Sequence, residues 1–313
     1  MTPKTIALLR AAVGAALILP AVAQAAGKDV AIDEPKVFTE SISSDAAGNL
    51  YAGSNKGVIF RATPGATKAV AWIKPDDTNK IKQLLGVLAD DKSNTLWVCS
   101  IAGFGVPGGE SAAVSFDLKT GAFKARYVLP GPNATCNDIT VGQYGKVYIA
   151  ETSGGRIFSI APDAKEMKLE VQDPQLSGID GIAFTADNTL YANNTRQNTF
   201  FRINRDSSGN YQSLTKLTTS LPLKGPDGLR LYKGNQLLEA ETGNNRIALL
   251  TITGDNVDVK PLLDPAPGAA SVTHIGDTAY TVFGKMSYLF DPKLRDQDPG
   301  PFVMTAVPIT GAK

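Results

Sequence analysis

DGIAFTADNTLY, residues 180–191, is the stretch whose reading decides the fold. Ile182 and Phe184 alternate with smaller neighbours, the period-two pattern of a half-buried strand. The ADNT segment then places Asp and Asn where a tight hairpin needs positive φ. Leu190 and Tyr191 open a second apolar strand. The same plan recurs as ESISSDAAGNLY (40–51), GVLADDKSNTLW (86–97), NDITVGQYGKVY (137–148) and DGLRLYKGNQLL (227–238), with a shorter SVTHIGDTAY (271–280). Successive starts lie 43 to 51 residues apart. That is the period of a four-stranded propeller blade.

The segments outside these cores agree. A second turn follows each second strand, as in SNKG, TSGG, NTRQN and TGNN. Third strands follow as GRIFSI and NRIALL, and weaker fourth strands as KLEV and DVKPLL. A β-sandwich also yields many short strands, but it does not explain a repeated unit of this length. The repeats fill the chain from about residue 38 to 307 and leave no room for another domain. The expectation is an all-β, six-bladed β-propeller of four-stranded blades, one domain over residues 26–313. A terminal strand should complete the last blade, from residues 30–37 or from 302–309.

Composition narrows the partners. The 313 residues are 43% hydrophobic and carry a net charge of +1, with Lys and Arg spread along the chain. No nucleic-acid or acidic-membrane partner is expected. At the N-terminus, Lys4 and Arg10 precede an apolar run ending in Ala23-Gln24-Ala25. This reads as a cleavable signal peptide over residues 1–25, and the run is short for an uncleaved anchor. The mature chain is then expected to be periplasmic or secreted, with no membrane association. Export places Cys99 and Cys136 in an oxidising space, where a disulfide and two buried thiols both remain open.

The first residue of each repeat should ring one mouth of the channel: Glu40, Gly86, Asn137, Asp180, Asp227 and Ser271. Three converging carboxylates repel one another unless a cation sits among them. Glu40, Asn137, Asp180 and Asp227 offer oxygen donors that suit a hard divalent ion. Ca²⁺ is the expected occupant, with Zn²⁺ or Mn²⁺ as alternatives. For any single position, a strand-capping or Asx-turn role is the simpler reading. A second set at strand ends, Glu151, Asn193 and Glu241, with Asn55 in the first repeat, is placed to reach a ligand above the metal, with turn-capping the simpler role for each.

These residues resemble the gluconolactonase and senescence-marker-protein (regucalcin) family of six-bladed propellers. The resemblance rests on TCNDITVGQYGKVYIAETSGGRIFSI, GIDGIAFTADNTLYANN and GPDGLRLYKGNQLLEAETGNNRI. It implies an axial divalent cation held by Glu40, Asn137, Asp180 and Asp227, with Asp227 also the general base. Asp180 stands where the family usually has Asn. Thr135 stands where many family lactonases carry an Arg that holds the sugar lactone, which turns the expectation toward other substrates.

The sole histidine, His274, and the lack of a G-x-S-x-G motif argue against serine-hydrolase chemistry. The glycine-rich segment 103–109 opens no helix and reads as a loop at the mouth. The leading reading is a metal-dependent hydrolase of a lactone or related ester, with the loop 101–111 over a small-molecule substrate. The alternative is a non-catalytic propeller that binds a small molecule or a protein around a structural cation. An open polar cleft over Asp227 favours the first and a plugged mouth the second.

Overall fold

Each repeat folds as antiparallel strands in sequence order. In the computed structural model, which describes residue 1 and residues 27–104 and 106–309, the second repeat pairs Gln83–Asp90, Thr95–Ile101, Ser111–Asp117 and Phe123–Val128 in turn. The third and fourth repeats form two more four-stranded sheets beginning with Cys136–Val141 and Ile179–Phe184. The fifth begins with Pro226–Lys233 and gains a short fifth strand, Thr218–Thr219, parallel to Asn256–Leu263. The segment read as a signal peptide, residues 1–25, lies outside the described residues beyond Met1.

The first and sixth repeats share one eight-stranded sheet. Thr39–Ser44, Leu50–Ser54, Ile59–Ala62 and Lys68–Ile73 form one half. Ala269–Ile275, Thr278–Phe283, Phe302–Pro308 and Val30–Ile32 form the other. Both termini therefore complete the last unit, where the sequence left a choice between them. Phe302–Pro308 is its third strand and Val30–Ile32 its outer strand. The join is a short parallel pairing of Val30–Ile32 with Lys68–Ile73. So the repeats give five sheets rather than six separate ones, in an all-β, propeller-like arrangement.

The innermost strands hold the ring together. Thr39–Ser44, Gln83–Asp90, Cys136–Val141, Ile179–Phe184, Pro226–Lys233 and Ala269–Ile275 each pack beside the next, and the last packs beside the first. Glycine permits the close approach. A Cβ on Gly181 would lie 2.4 Å from the Asp227 carbonyl oxygen, and one on Gly228 within 2.9 Å of three Ser271 atoms. The D-G pairs at 180–181 and 227–228 thus have a packing cause.

Apolar clusters fill the spaces between adjacent sheets. Tyr51, Ile59, Leu84, Val98 and Phe116 lie between the first and second repeats. Tyr148, Ile157, Ile182 and Phe201 lie between the third and fourth. Each sheet is covered on both faces, so Thr95–Ile101 is buried at every position. Cys99 and Cys136 are bridged, with Cα atoms 5.2 Å apart, tying the second repeat to the strand that carries Asn137. No described helix is long and apolar enough to cross a membrane. The one α-helical turn among the described residues, Ser287–Phe290, lies in the 284–301 segment that the repeat pattern did not cover.

Candidate active site

All six innermost strands depart from regular pairing near the same place. Register shifts fall between Thr39 and Ser41, Leu84 and Val87, Cys136 and Ile139, Ile179 and Ile182, Pro226 and Leu229, and Ala269 and Ser271. Bulges of this kind re-aim side chains out of the pleat. They coincide with the ring positions read from the sequence. Glu40, Gly86, Asn137, Asp180, Asp227 and Ser271 all line one cavity of about 10 Å³. That is room for roughly one water-sized sphere.

Oxygen atoms of Glu40, Asp180 and Asp227 lie within 4.8 Å of one another. Asp180 and Asn137 are buried, and Glu40 and Asp227 partly so. The Asn137 amide nitrogen donates to Thr152 Oγ1 at 2.9 Å, and that hydroxyl donates to the Ile179 carbonyl at 2.7 Å. This bond orients the side-chain amide, whose oxygen is the atom that can serve an ion. Burial, then the charges of Asp180 and Asp138, push the Glu40 carboxyl well above the usual range. Burial, then Asp180 and Glu40, do the same to Asp227. Burial, then Asp138, push Asp180 up to about 7. Four oxygen donors around an ion-sized cavity, ionised only at a cost, fit a hard divalent cation.

Arg230 closes the channel beneath this ring. Its guanidinium donates to Asp138 Oδ2 at 2.7 Å, to the Leu229 carbonyl at 2.7 Å and to the Val87 carbonyl at 3.0 Å. It reaches from the fifth repeat to the second and third, and it is buried. Asp138 is therefore paired with a cation, while Glu40, Asp180 and Asp227 have no basic side chain paired with them among the described residues. Below Arg230 a separate cavity opens on the other mouth, where His274 lies. His274 is thus remote from the carboxylates, as a structural histidine would be; its ring meets Tyr232 edge-on.

Above the ring the mouth is open. A cavity of about 930 Å³ has Glu40, Asn137, Asp180 and Asp227 in its lining, with Thr135 and Phe104. Thr135 stands where the sequence placed it, its hydroxyl 2.9 Å from that of Ser153. The sequence had set an open cleft against a plugged mouth; the mouth over Asp227 is open, and the plug is Arg230 inside the channel. The plug lies below the carboxylates and the cleft above them.

Glu151, Asn193 and Glu241 do not reach that cavity, contrary to the sequence reading; all three are fully buried. Glu151 accepts from the Thr135, Ser153 and Gly154 amides and from Arg156 Nε. Glu241 accepts from the Lys224 amide, Asn244 Nδ2 and Arg246 Nε. Each carboxylate caps its own turn and pairs with an arginine five residues on. The signal was present in the sequence as ETSGGR and ETGNNR. In the first repeat, Ser54 rather than Asn55 takes this place, pairing with Thr39 and accepting from the Val58 amide.

Asn193 departs for a different reason. The position equivalent to Glu151 and Glu241 in the fourth repeat is Asn194, which pairs with Ile179 and caps the next turn. One residue earlier, a strand side chain points to the opposite face. Asn193 therefore faces the neighbouring sheet. It accepts from the Gly181 amide at 2.7 Å and donates to the Asp227 carbonyl at 2.7 Å and to Glu239 Oε1 at 3.0 Å. It braces the backbone beside Asp180 and Asp227 from behind. Burial and the nearby Glu241 push the Glu239 carboxyl up to about 8.

No curated protein matches the sequence. Solved structures share the fold. A luciferin-regenerating enzyme superposes with a TM-score of 0.63 at 16% identity, covering 89% of this chain and 93% of that one. A gluconolactonase from Xanthomonas campestris gives 0.61 at 14% identity, covering 91% and 99%. Virginiamycin B lyase from Staphylococcus aureus gives 0.58 at 19% identity, covering 81% and 80%. The profile of the SMP-30/gluconolactonase/LRE-like region matches residues 21–283. That match spans most of the chain, including every residue of the carboxylate ring, and supports a hydrolase of the lactonase type. The chain belongs to the SMP-30/gluconolactonase/LRE-like family.

Proposed function

We propose that this chain is a six-bladed propeller enzyme that hydrolyses a lactone or related ester with a divalent cation, Ca²⁺ by preference, at the carboxylate ring. The observation that carries this reading is the convergence of Glu40, Asp180 and Asp227 within 4.8 Å at the foot of an open cavity. The eight-stranded sheet counts as two blades joined at their outer edges, which brings the blades to six.

Glu40, Asn137, Asp180 and Asp227 would hold the cation through oxygen donors, a set without thiol or imidazole that suits Ca²⁺ better than Zn²⁺. When bound, the cation supplies Lewis-acid polarisation of the substrate carbonyl. Asp227, once ionised, accepts the proton of the attacking water at its carboxylate and passes it to the leaving alkoxide. Asn193 keeps the Asp227 backbone in place during this exchange. Arg230 seals the channel below, so water and substrate enter from one side only.

Export belongs to the same proposal. The disulfide fits an oxidising compartment, and a periplasmic or secreted enzyme meets Ca²⁺ outside the cytoplasm. The partner is then a small molecule.

Hydrolysis of a lactone panel by the mature chain tests the proposal, assayed after chelation and again after Ca²⁺ is restored. Turnover should vanish on chelation and return with the ion. Turnover indifferent to chelation would rule the metal out. Metal binding without turnover on any lactone or ester would favour the binding-protein alternative.

A further inference from the structure

The large cavity is not uniform, and its division follows the order of the repeats. Side chains from the third, fourth and fifth repeats give it Thr135, Ser153, Thr195, Arg196, Thr242 and Asn245. Those from the sixth and second give it Met286, Tyr288, Phe290, Leu85 and Phe104. The first repeat, between these two in the ring, contributes Glu40 to the floor. One half of the rim is thus polar and the other apolar. Ser287 adds one hydroxyl to the apolar half, and Lys285 is its one charged residue. Its ammonium is spent on the Pro299 and Pro301 carbonyls, both at 2.7 Å, so it presents its stem rather than a free charge.

The apolar half is built, not incidental. Phe104 comes from the loop of the second repeat and Phe290 from the helical turn of the 284–301 segment. Their rings meet edge to face, with centroids 5.5 Å apart. Both remain open to solvent, at 41% and 56%. Two large apolar rings from separate loops, joined at the rim of a cleft yet left uncovered, leave apolar surface for a ligand to bury. A polyhydroxylated ring would satisfy the polar half and strand its hydroxyls against Met286 and Phe290, unpaired.

We infer that the substrate is an amphipathic lactone whose ring lies over the carboxylate floor and whose alkyl or aryl arm lies against Phe104, Met286 and Phe290. This rests on the hydrolase reading for the ring, and on the division of the rim for the arm. Chain length of the arm, not hydroxylation of the ring, then sets the specificity.

The experiment compares γ-lactones bearing unbranched arms of increasing length with glucono-δ-lactone, in the native chain and in the Phe104→Ser/Phe290→Ser variant. In the native chain kcat/KM should climb roughly threefold to fourfold per methylene until the arm outgrows the cleft. In the variant the climb should flatten. Binding of the matching γ-lactams, which resist hydrolysis, is measured alongside by calorimetry. No rise with arm length, or a preference for the sugar lactone, overturns the inference. If no lactone turns over but lactam affinity rises with arm length and the variant loses that rise, the hydrolase reading fails and with it the lactone as substrate, while the apolar subsite for the arm stands. If neither turnover nor lactam binding depends on the arm, the inference fails by itself.

Discussion

Asp227→Asn is expected to lower kcat for the best lactone by about 10²- to 10⁴-fold, the usual contribution of a positioned general base. Asparagine keeps an oxygen where the carboxylate was and removes the capacity to accept a proton. The side chain should stay in place, because its backbone is fixed independently. Asn193 holds the Asp227 carbonyl at 2.7 Å, and Gly228 lets the strand lie close against Ser271. The variant should therefore still fold. Saturating Ca²⁺ should not restore the rate, which separates loss of the base from weaker metal binding. Steady-state kinetics at rising Ca²⁺ is the check. A loss under tenfold, or full recovery at high Ca²⁺, would reduce Asp227 to a ligand only.

Arg230→Met is expected to destabilise the fold by about 3–5 kcal/mol, the range for a buried ion pair broken from one side. The methionine fills much of the volume, so the cost is electrostatic. Asp138 would lose its charged partner, 2.7 Å away, while Glu40, Asp180 and Asp227 stay close by. Two backbone carbonyls, of Leu229 and Val87, would lose their donor as well. The Arg230→Met/Asp138→Asn double variant removes the stranded charge and should regain part of the loss. Denaturant midpoints for both variants, with the native chain as reference, decide the point. A single variant within 1 kcal/mol of native stability would mean that the channel admits water and that Arg230 is no seal.

Much of the architecture could be read from the chain because it repeats. A hairpin core recurring every 43 to 51 residues fixed the order of the strands. The ring positions could be found because a bulge falls at the same place in all six innermost strands, so equal register in sequence becomes convergence in space. What failed was local. Asn193 does not reach the mouth because Asn194, one place on, is the true equivalent of Glu151 and Glu241, and one place inverts the face of a strand. Glu151 and Glu241 sit at strand ends near the mouth, but the arginine five residues on in ETSGGR and ETGNNR holds each carboxylate in its own turn. Arg230 went unremarked, though an arginine inside the innermost strand DGLRLYK is a cation with nowhere to go but the axis. The Ser287–Phe290 turn carries no periodic pattern, so nothing in the repeats announced the apolar half of the cleft. The joining of the first and sixth repeats needs both termini at once, a long-range pairing that no local pattern encodes.

The most direct test of the central claim is calorimetric titration of the chelated mature chain with Ca²⁺, beside the Glu40→Gln/Asp180→Asn variant. One saturable site per chain is expected, with protons released as the raised carboxyls of Glu40, Asp180 and Asp227 ionise, and little or no binding in the variant. No binding of Ca²⁺, Zn²⁺ or Mn²⁺ to the native chain, or binding that the variant leaves unchanged, would contradict it.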